Sequence, residues 1–405
     1  MKSDVVLTID FGVLVMNEQR FCDAAYLGEI IVKAAKRGIR TILWRTLGGP
    51  SGLYRSRSVP TPADHNPKWK ALLDAYDPLE AAVSSAHKHG MKIMAWSTLQ
   101  DFHYVRFGIR GETGEPTVIK NTTPFFDKNP YLYWLSVDGK RFHAGIPCYG
   151  YQEARNYYLN HIKEVMGYGV DGFYVCFRSH ALEPEQDDEF GYNEPWRKQL
   201  RDETGIDPPT AEIRDNGWLA YRMQKIRGAS FTQLLREVRE TVGGLPVWVG
   251  VAQEPDILVA GNSAKENTDR AFHRARLDVR GWCREGLVDT VIVVASRTNC
   301  GDLSIAELYR DATQAHGKKL YTWLNMIAQF WNNKEGRMKR TPSPDELRAI
   351  VASTDQNEVD GLVLHEAADL EFSYLRIYLD GTKTKWETKV EPQSDCDAQW
   401  DSLLG

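Results

Sequence analysis

A cadence constrains this chain more than any other feature. Short apolar runs follow Gly or Asp punctuation at residues 39–45, 91–97, 170–178, 245–251, 287–297, 318–325 and 359–366, and another opens the chain at 5–12. Between them lie stretches of helical character. Continuous runs of Val, Ile, Leu and Trp suit strands buried on both faces, and helices between successive strands make the sheet parallel. Eight such units predict an α/β fold, a single (β/α)8 TIM barrel with enlarged βα-loops. In that architecture the chemistry gathers where strands end and βα-loops begin, so the last residues of each run are the first candidates.

The chain has 405 residues, 42% hydrophobic and 26% charged, enough for one large core. A barrel needs about 250 residues, and the excess is expected in loops. The reading is a barrel over 1–385, with long insertions at 48–76 and 98–149, closed by a C-terminal strap at 386–405. The first strand is expected over 5–12, the fourth over 172–178, and the third helix over 152–168. Within the second insertion, Asp138-Gly139 marks a turn between short strands. Asp77, Pro78 and Gly90 mark the start and end of a helix.

A net charge of −5 gives no electrostatic case for nucleic acid or an anionic membrane. No run is long enough to span a bilayer, and the first residues lack the pattern of a secretory signal. The expectation is a cytoplasmic protein as the chain stands, or a periplasmic or secreted one if a leader has been removed. Six widely spaced cysteines without a CxxC point to idle thiols in a reduced compartment. No histidine spacing argues for a metal, and no phosphate-binding glycine motif follows a strand. Neither metal nor cofactor is therefore expected.

The strand ends are polar, ionisable and aromatic. Trp96 and Trp323 offer flat rings for the C–H faces of a sugar, and Arg45, Arg178, Arg297, His180, Asp101 and Asn325 offer hydrogen bonds to hydroxyls or to an anionic group. Glycoside hydrolysis needs two carboxyl groups flanking the scissile bond. Glu254 and Glu366, just past the fifth and eighth strands, are the leading pair, with Glu194 third. Asp10 is expected to make an internal ion pair with a neighbouring basic residue.

Residues 147–180 resemble the family 10 glycosyl-hydrolase-like group of bacterial barrels. Gln152-Glu153-Ala154-Arg155 matches a segment that begins a helix in those proteins, and Gly169-Val170-Asp171-Gly172 matches the entry to a strand. Phe190 to Pro195 and Arg201 to Asp207 are similar to a downstream segment of the same group. The resemblance implies the barrel and a carbohydrate substrate. It also exposes a departure: many relatives carry an Asp in strand four where Cys176 stands here. A copied mechanism would lack its nucleophile.

The expected function is hydrolysis of a glycosidic bond in a carbohydrate, such as an anionic or terminal sugar, through a carboxylate pair at the C-terminal face. Two alternatives stand beside it: a carbohydrate-binding pseudo-hydrolase, and a metal-dependent sugar isomerase or lyase. The partner expected is the carbohydrate itself, and a homo-oligomer is compatible with the sequence.

Overall fold

The computed structural model describes residues 4–16, 22–99, 109–110, 123–177, 190–207, 217–252, 275–294, 306–325, 328–332, 336–340, 359–365, 375–379 and 383–387. Eight parallel strands close into a barrel: β1 (Asp4–Ile9), β2 (Thr41–Arg45), β3 (Lys92–Thr98), β4 (Gly172–Cys176), β5 (Val247–Ala252), β6 (Thr290–Val294), β7 (Lys319–Asn325) and β8 (Gly361–His365). Each pairs with its sequence neighbours, and β8 returns to β1 with Val6 opposite Val363. The expected barrel is the observed one.

Helices lie between successive strands, the main ones being α1 (Ala24–Lys36), α2 (Pro78–Lys88), α3 (Gln152–Met166), α4 (Gly217–Val242), α5 (Val279–Arg284) and α6 (Ala306–Gln314). The start of α2 is chemically marked. Asp77 Oδ1 accepts from the backbone N–H groups of Leu79 and Glu80, with Pro78 at the first helical position, where a missing N–H costs nothing. Gly90 at φ 68° takes the chain out in the left-handed region, as its place in the sequence predicts.

Alternation along the strands separates two apolar layers. Leu7, Ile9, Ile42, Trp44, Ile93, Phe173 and Val175 join the outer layer beneath the helices. Val6, Leu43, Met94, Trp96, Tyr174, Cys176, Ile292, Tyr321, Trp323 and Val363 fill the barrel. Four large aromatic residues in so narrow a space need small residues opposite them. A Cβ on Gly250 would fall 2.0 Å from the Tyr174 hydroxyl, and one on Gly361 would fall 2.7 Å from the Tyr321 ring. Gly172 makes the same room for Met94, whose Sδ lies 2.7 Å from where a Cβ would stand.

Several boundaries differ from the sequence reading. β1 ends at Ile9, because Asp10 turns its carboxylate onto the N–H of Gly12 (3.0 Å) and starts a short helix at Phe11–Met16. β4 ends at Cys176 rather than residue 178, and α3 at Met166 rather than 168. The first insertion holds a helix at Pro67–Ala75. Asn66 caps it by accepting from Lys68 N–H, and Trp69, Leu72 and Leu73 form its buried face.

The hairpin in the second insertion forms as expected. Tyr133–Leu135 pairs antiparallel with Phe142–Pro147, and Gly139 takes the left-handed turn position at φ 71°. Outside the barrel, strands Ala328–Asn332, Gly336–Arg340, Leu375–Leu379 and Lys383–Glu387 form an antiparallel sheet. The boundary expected at 385 falls inside its last strand. Among the described residues, no helix is long and apolar enough to cross a membrane.

Replacing Gly250 by Ala forces the Tyr174 hydroxyl to move inside a packed barrel. We expect a loss of about 1–3 kcal/mol, the usual cost of overpacking, read as a lower urea midpoint at unchanged slope. A wild-type midpoint would mean that the barrel interior has slack.

Candidate active site

The strand ends form a ring-rich floor across the C-terminal mouth. Trp96 of β3 lies edge-on to Trp323 of β7 (5.7 Å between centroids, 75°) and to His365 of β8 (5.9 Å, 76°). Trp323 and His365 are 4.6 Å apart, and Tyr174 stands beneath both tryptophans at 6.1 and 6.4 Å. His365 is tied to β1 by a hydrogen bond between Nδ1 and the Thr8 hydroxyl (2.9 Å). Edge-to-face contacts of this kind add about 0.5–1.5 kcal/mol each beyond area burial, so the floor is stiff as well as apolar.

Beside the floor sits Asp10, the one carboxylate among the described residues at the C-terminal ends of the barrel strands. Asp10 Oδ2 accepts from Arg45 Nη1 at 2.5 Å, with both side chains buried. The internal pairing expected for Asp10 is therefore found. Arg45 Nε donates to the Leu47 carbonyl (2.8 Å), and its guanidinium lies 5.3 Å from the centre of the Trp96 ring. Arg45 thus braces the mouth: it joins β1, β2 and β3 through an ion pair, a backbone contact and a cation–π contact.

A second polar system grips the same strand ends from outside the barrel. His161 of α3 is fully buried, with Nδ1 at 3.0 Å from the Tyr54 hydroxyl and Nε2 at 3.0 and 3.1 Å from the Ser97 and Thr46 hydroxyls. Tyr54 gives its only proton to Glu164 Oε2 (3.0 Å), so Nδ1–H donates to the Tyr54 oxygen and Nε2 accepts from Ser97. Thr46 closes the network by donating both its backbone N–H (2.8 Å) and its hydroxyl (3.0 Å) to the Trp96 carbonyl. The carboxylate of Glu164 collects further donors from Ser56, Ser58 and the Arg57 N–H. Burial pushes its pKa up, but these hydrogen bonds outweigh that and hold it below the usual glutamate range. No sequence pattern singles out His161. Its position on the buried face of α3 is the only trace, and its partners come from three other segments.

The structure brings Arg45, Trp96 and Trp323 together. Asn325 is the last residue of β7 and pairs with His365. Glu194 does not join them. It opens the helix Glu194–Thr204, is 58% exposed, and pairs with Arg201 at 2.5 Å. Glu254, Glu366, Asp101, Arg178, His180 and Arg297 lie outside the described residues. Cys176 ends β4 on the inward side, opposite Thr98 and Gly250 in register. Cys22, Cys148, Cys176 and Cys283 are all buried, and none forms a disulfide. Among the described residues, no three His, Cys, Asp or Glu side chains are placed to hold a metal ion.

The closed parallel eight-stranded barrel is shared with solved structures of similar fold. The glycoside hydrolase domain of PgaB (BpsB) from Bordetella bronchiseptica aligns over 90% of this chain and 94% of its own, with a TM-score of 0.54 and 12% identity. The β-amylase catalytic domain of Paenibacillus polymyxa aligns over 91% and 93%, at 0.54 and 9%. A β-galactosidase from Bacillus circulans aligns over 100% of this chain and 55% of its own, at 0.57 and 10%. At these identities the likeness is one of fold.

The sequence goes further: residues 16–323 match the glycosyl hydrolase-like 10 family, and the chain belongs to it. It is also 25% identical over 269 residues to glycosyl hydrolase DigH of Escherichia coli, covering 63% of this chain. The chain spans about half the length of that relative, 54%. The family match ends at Trp323, so it includes Glu254 and stops short of Glu366.

Burial lowers the pKa of His161 to about 3 from an ordinary 6.5, only partly offset by the nearby Glu164. Between those values the unfolded chain takes up a proton that the folded protein refuses. Stability is therefore full above about pH 6.5 and falls as the pH drops, by at most about 1.4 kcal/mol per unit. His161→Gln should flatten that slope in denaturant titrations between pH 4 and 7. An unchanged slope would remove His161 from the account.

Proposed function

We propose that this protein hydrolyses a glycosidic bond in a carbohydrate seated on the aromatic floor of the barrel mouth. The observation that carries the reading is the assembly of Trp96, Trp323 and His365 at the C-terminal end of a barrel of this family. Rigid rings at that end suit the apolar faces of a pyranose, and membership of a glycosyl hydrolase-like family supports hydrolysis as the reaction class. Glu254 and Glu366 are the proposed acid and its partner carboxylate. Glu254 lies two residues past the end of β5, and Glu366 follows His365, the last residue of β8, itself anchored to Thr8.

One carboxyl would protonate the leaving oxygen. The other would activate water or attack the sugar carbon, according to a separation of about 6.5–9.5 Å or about 5 Å. Asp10 is less suited to either role, because Arg45 already holds it as a buried carboxylate. A second reading has one observation in its favour. Cys176 occupies the end of β4, where a nucleophilic Asp would be placed in related barrels, which suits a sugar-binding protein without turnover.

The test is turnover of aryl glycosides and oligosaccharides by the wild type, Glu254→Gln and Glu366→Gln, with binding followed by tryptophan fluorescence. Loss of one carboxyl should lower kcat by about 10²–10⁴-fold and leave binding intact. Two fully active variants would rule out the pair. Binding without turnover in all three proteins would favour the binder.

A further inference from the structure

Two polar atoms on the inward face of β3 are left unused by the protein. Trp96 Nε1 and Thr98 Oγ1 are buried, and among the described residues neither has a hydrogen-bond partner. The side chains are 3% and 2% exposed and stand two residues apart at the strand's C-terminal end. Ser97, between them and facing out, is fully engaged with His161 and Thr46. Trp44 Nε1 is also unpaired, but its side chain packs in the outer layer. The two atoms on β3 share the barrel mouth.

A buried polar group left without a partner costs about 1–3 kcal/mol, and an apolar residue of the same shape removes that cost. Valine would fill the place of Thr98, so the hydroxyl is a standing penalty for folding alone. A ligand oxygen reaching the end of β3 would turn it into a contact. Charge at this spot is already balanced, because Asp10 neutralises Arg45 and Leu47 occupies its Nε. An incoming carboxylate would find no uncompensated cation in the Asp10–Arg45 pair, whereas a hydroxyl needs none.

We infer that the end of β3 is a subsite for an uncharged sugar ring, in which Trp96 Nε1 donates to a ring or hydroxyl oxygen and Thr98 Oγ1 bonds a neighbouring hydroxyl. The inference rests on the carbohydrate reading above and deepens it. Thr98 becomes a specificity-determining residue, and Trp96 acts through its N–H as well as its face.

The experiment measures affinity and melting temperature together for the full chain, using glucose, galactose, cellobiose and lactose against glucuronate and galacturonate. The wild type should prefer the neutral sugars. Thr98→Val should melt at the wild-type temperature or higher while binding its best neutral sugar at least tenfold more weakly, and Thr98→Ser should keep the affinity. Trp96→Phe should weaken binding similarly, and carries the comparison if the valine variant does not fold. A more stable Thr98→Val with unchanged affinity would overturn the subsite, as would tighter binding of the uronates. A wild type that binds none of these sugars would be a different failure. It appears before any variant is compared, and it sinks the carbohydrate reading together with the subsite.

Discussion

The interior of an eight-stranded barrel has a nearly fixed volume, and this protein fills it with unusually large rings. Tyr174, Tyr321, Trp96 and Trp323 fit because Gly250 and Gly361 give up their side chains to Tyr174 and Tyr321. That exchange of large for small is the constraint on which the rest depends. It fills the barrel with rings rather than the branched aliphatic residues that usually fill barrel layers, and sets Tyr174 against Trp96 and Trp323 of the mouth. It also means that the floor of the candidate site is part of the core, so site geometry and stability are not separable at these positions.

Two buried polar systems hold that floor in register. Inside the mouth, Asp10 and Arg45 lock the ends of β1 and β2 against Trp96. Outside, His161 and its hydroxyl partners clamp β2 to β3 through the Trp96 carbonyl. Buried ion pairs seldom add net stability over apolar packing, yet removing one partner is costly, because a charge is stranded. Both systems converge on Trp96, whose ring also meets Tyr174, Trp323 and His365. Positioning of that residue is the physical reason we see for keeping so many polar groups in a dry place.

Much of the fold was legible because its signals are local. Gly90 closing α2, Asp77 capping it and the apolar runs of β1 to β8 need only neighbours in sequence. The pairing of Asp10 was legible in kind, since an acid at the end of a buried strand needs a cation, but its partner had to come from the next strand. The helix at Pro67–Ala75 carried a readable cap, Asn66 before Pro67, hidden by the Gly, Pro and Ser around it. His161 was not legible. A histidine on an amphipathic helix has no mark of burial, and its partners Thr46, Tyr54 and Ser97 come from separate segments that only the folded barrel brings together. Thr98 was missed for the same reason, because an unsatisfied hydroxyl is visible only once every neighbour has been placed.

We propose that a sugar ring sits on the Trp96–Trp323–His365 floor. A crystal structure of the protein soaked with a neutral disaccharide tests it most directly. The account predicts a pyranose stacked over that floor, within hydrogen-bonding reach of Trp96 Nε1 and Thr98 Oγ1, with Glu254 and Glu366 on either side of the glycosidic oxygen. A sugar bound away from the barrel mouth, or at the mouth with neither glutamate near the linkage, would contradict it.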